Sequence, residues 1–162
     1  MDTQELETFY NELVEEYGEE TIALAQHLGL NLEPDFDLAD YPTEDYTEEE
    51  IAEEKQNAID EVKDELNSIH EGHGEYTYEY CGDEYIVATD EDADDLWEQA
   101  LDDYIDECIL PEIPETYQNY FDEEKWKNDA RYDGRGCVLA TYDGDENEED
   151  VNGTTYYIYR IN

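Results

Sequence analysis

Asp95, Glu98, Asp102 and Asp106 follow one another at steps of three and four residues. On a helix such steps bring side chains to one face, about 6 Å apart along the axis for each i to i+4 pair. Glu50, Glu54, Glu61 and Glu65 give a second segment the same character. The chemistry open to such rows is electrostatic. Like charges at these spacings destabilise a helix by about 0.2–0.5 kcal/mol per pair, so selection for stability alone would intersperse lysines. Over long stretches they are missing: Lys and Arg are absent from Met1 to Glu54 and again from Asp64 to Glu124. Successive phosphates along one DNA strand are separated by a distance similar to the i to i+4 step. Rows of carboxylates are therefore expected to stand in for a phosphate backbone against a protein whose channel is lined with Lys and Arg.

Other chemistries are weaker matches. His70-Glu71-Gly72-His73 lacks the HExxH spacing, because the second His comes one residue early, and it reads as a helix end. Asp143-Gly144-Asp145-Glu146-Asn147 opens like a calcium loop, but Glu148 holds the sixth position, where glycine is needed. Thr154 holds the twelfth, where a bidentate Glu is needed. The three histidines have no Ser, Cys or Asp partner at recognisable spacing, and no glycine-rich phosphate loop is present. No enzyme, no metal site and no cofactor is expected. Cys81, Cys108 and Cys137 are scattered and odd in number, which suits reduced thiols.

The elements that must carry the rows are legible in the apolar spacing. Leu6, Phe9, Tyr10, Leu13, Val14 and Tyr17 predict a helix over 3–17, and Ile22, Leu24, Ala25 and Leu28 a second over 19–28. Residues 31–46 read as an irregular connection. Thr47 to Glu50 matches a capping box, and the helix it opens is predicted to reach Ile69, with Gly72 and Gly74 beyond its end. Tyr76, Tyr78 and Tyr80 alternate with polar residues, then Cys81-Gly82-Asp83 turns into 84–89, a hairpin pattern. A helix over 91–109 follows, then short helices near 115–121 and 122–131. A second strand pair is predicted at Cys137–Tyr142 and Thr154–Ile161, with Asp143–Gly153 between them as an acidic loop. The expected class is α+β: an N-terminal acidic helical region over 1–72, then a ββααββ domain over 73–162. Its small antiparallel sheet of three or four strands would have helices on one face. Tyr76, Tyr78, Tyr80, Tyr85, Tyr156, Tyr157 and Tyr159 are assigned mostly to the sheet, one face packing on helices and some on the exposed face serving as contact anchors.

Composition sets the partner class. The chain has 162 residues, with 51 Asp or Glu against 7 Lys or Arg, for a formal charge of −44. Seven cations cannot form the basic face that DNA, RNA or an anionic membrane requires, so no nucleic acid and no membrane is expected as partner. There is no apolar run of the roughly 18–20 residues a membrane span needs and no apolar leader, and a soluble cytoplasmic protein is the expectation. The 16 tyrosines and the periodic apolar stripes argue against disorder.

One stretch goes beyond composition. Tyr120-Phe121-Asp122-Glu123-Glu124-Lys125-Trp126-Lys127-Asn128-Asp129 resembles a segment near the C-terminus of the ArdA antirestriction proteins, matching at Tyr120, Asp122, Glu124, Trp126 and Asp129. The resemblance implies an elongated dimer that mimics bent B-form DNA and blocks type I restriction–modification enzymes. The N-terminal 70 residues, helical here, do not resemble the strand-containing start of that family.

Together these readings predict a phage- or mobile-element-encoded DNA mimic. It would occupy the DNA channel of a restriction–modification enzyme, a CRISPR effector or another host defence complex, acting from the cytoplasm and with a homodimer as one arrangement. Two rivals are an acidic chaperone that sequesters a basic DNA-binding protein, and an accessory protein of a salt-adapted host.

Overall fold

A computed structural model describes all 162 residues. The fold is α+β, and its elements begin where the capping residues place them. Helix α1 (Thr3–Tyr17) opens with a reciprocal capping box between Asp2 and Glu5. Helix α2 (Glu19–Leu28) closes on Gly29, whose left-handed conformation at φ 72° lets its N–H reach back to the last turn. Helix α3 (Glu48–Asn67) opens with the capping box of Thr47 and Glu50.

The chain then departs from the predicted pattern. Instead of a helix end at Ile69–His70, Ile69–Glu71 forms a short strand, β1. Residues 72–77 turn it back: Gly72 N–H donates to the Thr77 carbonyl, and Gly74 N–H to Thr77 Oγ1. A Cβ at Gly72 would lie 2.5 Å from Thr77 Oγ1, so the glycine there serves a close approach. Strands β2 (Thr77–Tyr80) and β3 (Asp83–Thr89) form the predicted hairpin. Helix α4 (Asp90–Tyr104) follows, capped by Thr89, and runs on into a π-helical turn at Ile105–Ile109. Short 3-10 turns at Leu110–Glu112 and Glu115–Tyr120 lead to α5 (Glu123–Arg131), capped by Asp122.

The predicted strand at Cys137–Tyr142 is absent. Gly136–Leu139 is a single helical turn, α6, which delivers Leu139 and Ala140 to the core. Strand β4 is Asn147–Val151, inside the segment predicted as an acidic loop. Its partner β5 (Thr154–Arg160) follows across Asn152 and Gly153, at φ 49° and 85°. Two left-handed residues in succession are what a tight two-residue hairpin requires, and Asn-Gly is the pair that adopts them most readily.

The sheet has five antiparallel strands in the order β1-β2-β3-β5-β4, rather than three or four. Both its faces are covered by helices, where one was expected. On one face Leu13, Ile22, Leu24 and Leu66 of α1–α3 meet Tyr85, Val87, Val151, Tyr156 and Ile158. On the other, Ala93 of α4 and Leu139 and Ala140 near α6 meet Ala88 and Tyr159. The period-2 alternation of β3 and β5 feeds both cores. Residue 72 falls between β1 and β2, which pair in the same sheet, and the first core draws residues from both sides of it.

Candidate partner-binding surface

The seven cations define the surface by where they go. Lys55 and Lys63 of α3 reach Glu5 and Glu16 of α1 at 2.9 and 2.7 Å. Lys127 and Arg131 of α5 reach back to α4: Lys127 to Asp102 and, at 3.7 Å, to Glu98, and Arg131 to Glu98. Arg135 joins Asp90 and Asp94 at the start of α4 to Glu146 before β4. Arg160 of β5 pairs with Asp83 of β3 at 3.0 Å. Six of seven cations thus link separate elements, and only the exposed Lys125 makes no ion pair. These links engage eight carboxylates of the 51, leaving 43 with no cationic partner in the chain.

This accounting divides the predicted rows. Asp95 and Asp106 are exposed and free of ion pairs, whereas Glu98 and Asp102 are held by α5. On α3, Glu54, Glu61 and Glu65 are exposed and unpaired. Glu50 is a cap: it accepts from Thr47 N–H at 2.8 Å and from Thr47 Oγ1 at 2.9 Å, and these bonds hold its pKa below the ordinary value. The two rows are not on one face. α3 packs on one side of the sheet and α4 on the other.

The largest aromatic feature lies outside the sheet, where the sequence pattern did not place it. Tyr117, Tyr120 and Tyr132 are 61%, 83% and 90% exposed. Tyr104 stacks on Trp126 with centroids 5.4 Å apart and planes within 7°. Helix α5 therefore has an exposed tyrosine just before it and another just after it, with the stacked pair at its middle. Its cations Lys127 and Arg131 turn to α4, while Asp122, Glu123, Glu124 and Asp129 are exposed. The signal in the sequence was the tyrosine density of 104–132 in a stretch broken by Pro111 and Pro114.

A groove beside α1 and α3 has Met1, Phe36, Leu38, Ile51 and Ala52 among its walls, rimmed by Asp2, Glu5 and Lys55. It holds no His, Cys or Ser. His70 and Glu71 sit in β1, and no three His, Cys or carboxylate groups come together in a metal-binding arrangement. No helix is long and apolar enough to cross a membrane.

The arginine cluster gathers the most carboxylates around one cation. Arg135 donates to Glu146 through Nε at 2.9 Å and Nη2 at 3.3 Å, and through Nη1 to Asp90 and Asp94. Its guanidinium lies 4.5 Å over the Tyr157 ring, and Tyr159 Oη donates to Glu146 at 2.6 Å. Burial works to raise the Glu146 pKa, but the bonds from Arg135 and Tyr159 outweigh it and hold it below the ordinary 4.5.

These shifts predict stability limits at both ends of the pH scale. Burial first, then the charges of Glu20 and Glu71, push the Tyr78 hydroxyl from 10.0 up to about 12. Burial and bonds to Glu19 and Glu146 also raise Tyr156 and Tyr159. A raised folded pKa contributes stability that is fully present below the unfolded value and is lost as pH climbs above it. Circular dichroism and tyrosinate absorbance should therefore show unfolding and ionisation together as pH rises from about 10 towards 12. Glu5, Glu50 and Glu146 have lowered values, so their contribution is present above about 4.5 and is lost as pH falls through their folded values. Ionisation of Tyr78, Tyr156 and Tyr159 near pH 10 while the fold persists would contradict the alkaline limit.

The chain matches no protein-family model, no curated protein and no solved structure.

Proposed function

We propose that this protein is a non-enzymatic DNA mimic that occupies the DNA-binding channel of a host defence enzyme and so blocks DNA access. The observation that carries the reading is the division of charge. Almost every cation is engaged inside the fold, and 43 carboxylates, many of them in exposed helical rows, have no cationic partner in the chain. Such a surface is attracted to the Lys and Arg that normally hold phosphates. The α3 and α4 rows lie on opposite sides of the sheet, so together they present negative charge on both faces of the molecule to a basic channel that encloses it.

The local resemblance of Tyr120–Asp129 to ArdA proteins points to restriction–modification enzymes as the first targets to try, and to a homodimer as the active form. A CRISPR effector or another complex with a basic DNA channel has the same chemistry. The site of action is then the host cytoplasm, and no nucleic acid takes part in the complex.

Capture from bacterial lysate on the purified chain, washed at moderate salt and eluted with double-stranded DNA, tests the reading. Release of a DNA-processing enzyme by DNA is the expected result. Release of abundant basic proteins alone, or of nothing, would overturn it in favour of a sequestering or salt-adapted protein.

A further inference from the structure

The chain binds two of its three arginines in one recurring way, while Arg131 pairs with Glu98 with no ring beneath it. The Arg135 guanidinium lies 4.5 Å over the Tyr157 ring while it donates to Asp90, Asp94 and Glu146. The Arg160 guanidinium lies 3.8 Å over the Tyr142 ring while it pairs with Asp83. In each case a tyrosine face and a carboxylate together make the arginine site. The lysines follow another rule: Lys55 and Lys63 meet carboxylates with no ring beneath them. The physical basis is the shape of the cation. A guanidinium is planar and weakly hydrated, so it stacks on a ring while its edge bonds a carboxylate, whereas an ammonium is a compact and strongly hydrated charge.

The same two parts recur on the surface around α5. Tyr117, Tyr120 and Tyr132 are exposed, and the exposed carboxylates Glu115, Asp122 and Asp133 lie within two residues of them in the chain. No cation of the chain lies over any of these three rings. We infer that these exposed rings are selective for arginine: their occupant is an arginine-bearing wall of the partner's DNA channel, with guanidinium groups stacked on Tyr117, Tyr120 and Tyr132. The inference rests on the DNA-mimic reading and adds a preference that charge alone does not supply. Net charge makes the partner basic; the tyrosines select which basic side chain contacts this face.

Two synthetic peptides of equal length and charge, one bearing arginines and one lysines, provide the test. Each is titrated against the full chain by fluorescence anisotropy at moderate salt. The arginine peptide should bind about five-fold tighter or more, given the added attraction of each ring. The variant Tyr117→Leu/Tyr120→Leu/Tyr132→Leu should lose that preference and keep its affinity for the lysine peptide. The corresponding Phe variant, which retains the ring faces, should keep the preference. All three positions are exposed, and circular dichroism of each variant checks that the fold is intact. Equal binding of both peptides by the unaltered chain, or a preference that survives the leucine changes, would overturn the inference and leave the DNA-mimic reading standing. Failure of both peptides to bind would count against both readings.

Discussion

Replacing Arg135 with alanine is expected to lower folding stability by about 3 kcal/mol, the low end of the range for removing one member of an enclosed charge cluster. Arg135 is the one cation that holds three carboxylates, and its side chain is only 10% exposed. It ties the start of α4 to the loop before β4, two elements far apart in the chain. Without it, Asp90, Asp94 and Glu146 remain close together with no cation among them, and Glu146 keeps only the Tyr159 hydroxyl. The partners are more exposed than Arg135 itself, which is why the low end applies. Lysine should recover part of the loss, because it restores charge but neither the forked donors nor the stack on Tyr157. Arg160→Ala, which removes a more exposed pair, should cost about 1 kcal/mol or less. Urea unfolding at fixed salt measures all three. A loss below about 1 kcal/mol for Arg135→Ala would mean that the cluster is not what joins α4 to the sheet.

The second large effect concerns the free carboxylates. Converting Glu54, Glu61, Glu65, Asp95 and Asp106 together to their amides should weaken partner binding by close to a hundredfold. That figure takes about 0.5 kcal/mol for each exposed charge contact, or about 2.5 kcal/mol in all. Single amide changes should each be hard to detect. Folding stability should hold or rise, since like charges are removed from helix surfaces. Because α3 and α4 lie on opposite faces of the sheet, the α3 changes and the α4 changes made separately should each give part of the loss. If only one set matters, the partner grips one face of the molecule alone. Amide changes at Glu98 and Asp102 should act differently, by loosening α5 from α4. Binding by the unaltered chain should also fall steeply with salt. A DNA complex with six to ten phosphate contacts loses roughly a thousandfold or more between about 50 and 200 mM.

The elements of the fold differ in how far they could be read from sequence. The α1, α2 and α3 helices follow from apolar residues at three- and four-residue spacing and from the capping boxes at Asp2 and Thr47. The β2–β3 hairpin follows from tyrosine alternation around Cys81-Gly82. β1 is three residues long, too short to show a period, and its only apolar member, Ile69, also fits the preceding helical stripe. β4 was hidden by its own composition, because Glu148, Glu149 and Asp150 read as loop. Asn152-Gly153 was the available clue to it. Cys137–Tyr142 has strand-like residues but follows Gly136, and burial of Leu139 and Ala140 against α4 favours a helical turn.

The candidate surface was legible only as rows. Spacing within a helix shows which carboxylates share a face, and Asp95 and Asp106 remain exposed as that spacing implies. It carries no information on which of them meet a cation from elsewhere. Lys127 and Arg131 arrive from α5, some 25 to 33 residues beyond Asp102 and Glu98, and only the fold reveals that pairing. The exposed tyrosines were missed for a related reason: Tyr117 and Tyr120 lie in a segment read as a short helix, and spacing there does not show which side chains the fold leaves open.

Competition is the core of the proposed mechanism, and one titration addresses it directly. With a DNA-processing enzyme captured as described above, the affinity of the unaltered chain for it is measured at fixed salt over a series of duplex DNA concentrations. The apparent Kd should rise in proportion to DNA, with no complex that contains chain, enzyme and DNA together. An apparent Kd that does not change with DNA, or a stable ternary complex, would show that the chain binds elsewhere on the enzyme and would contradict the account.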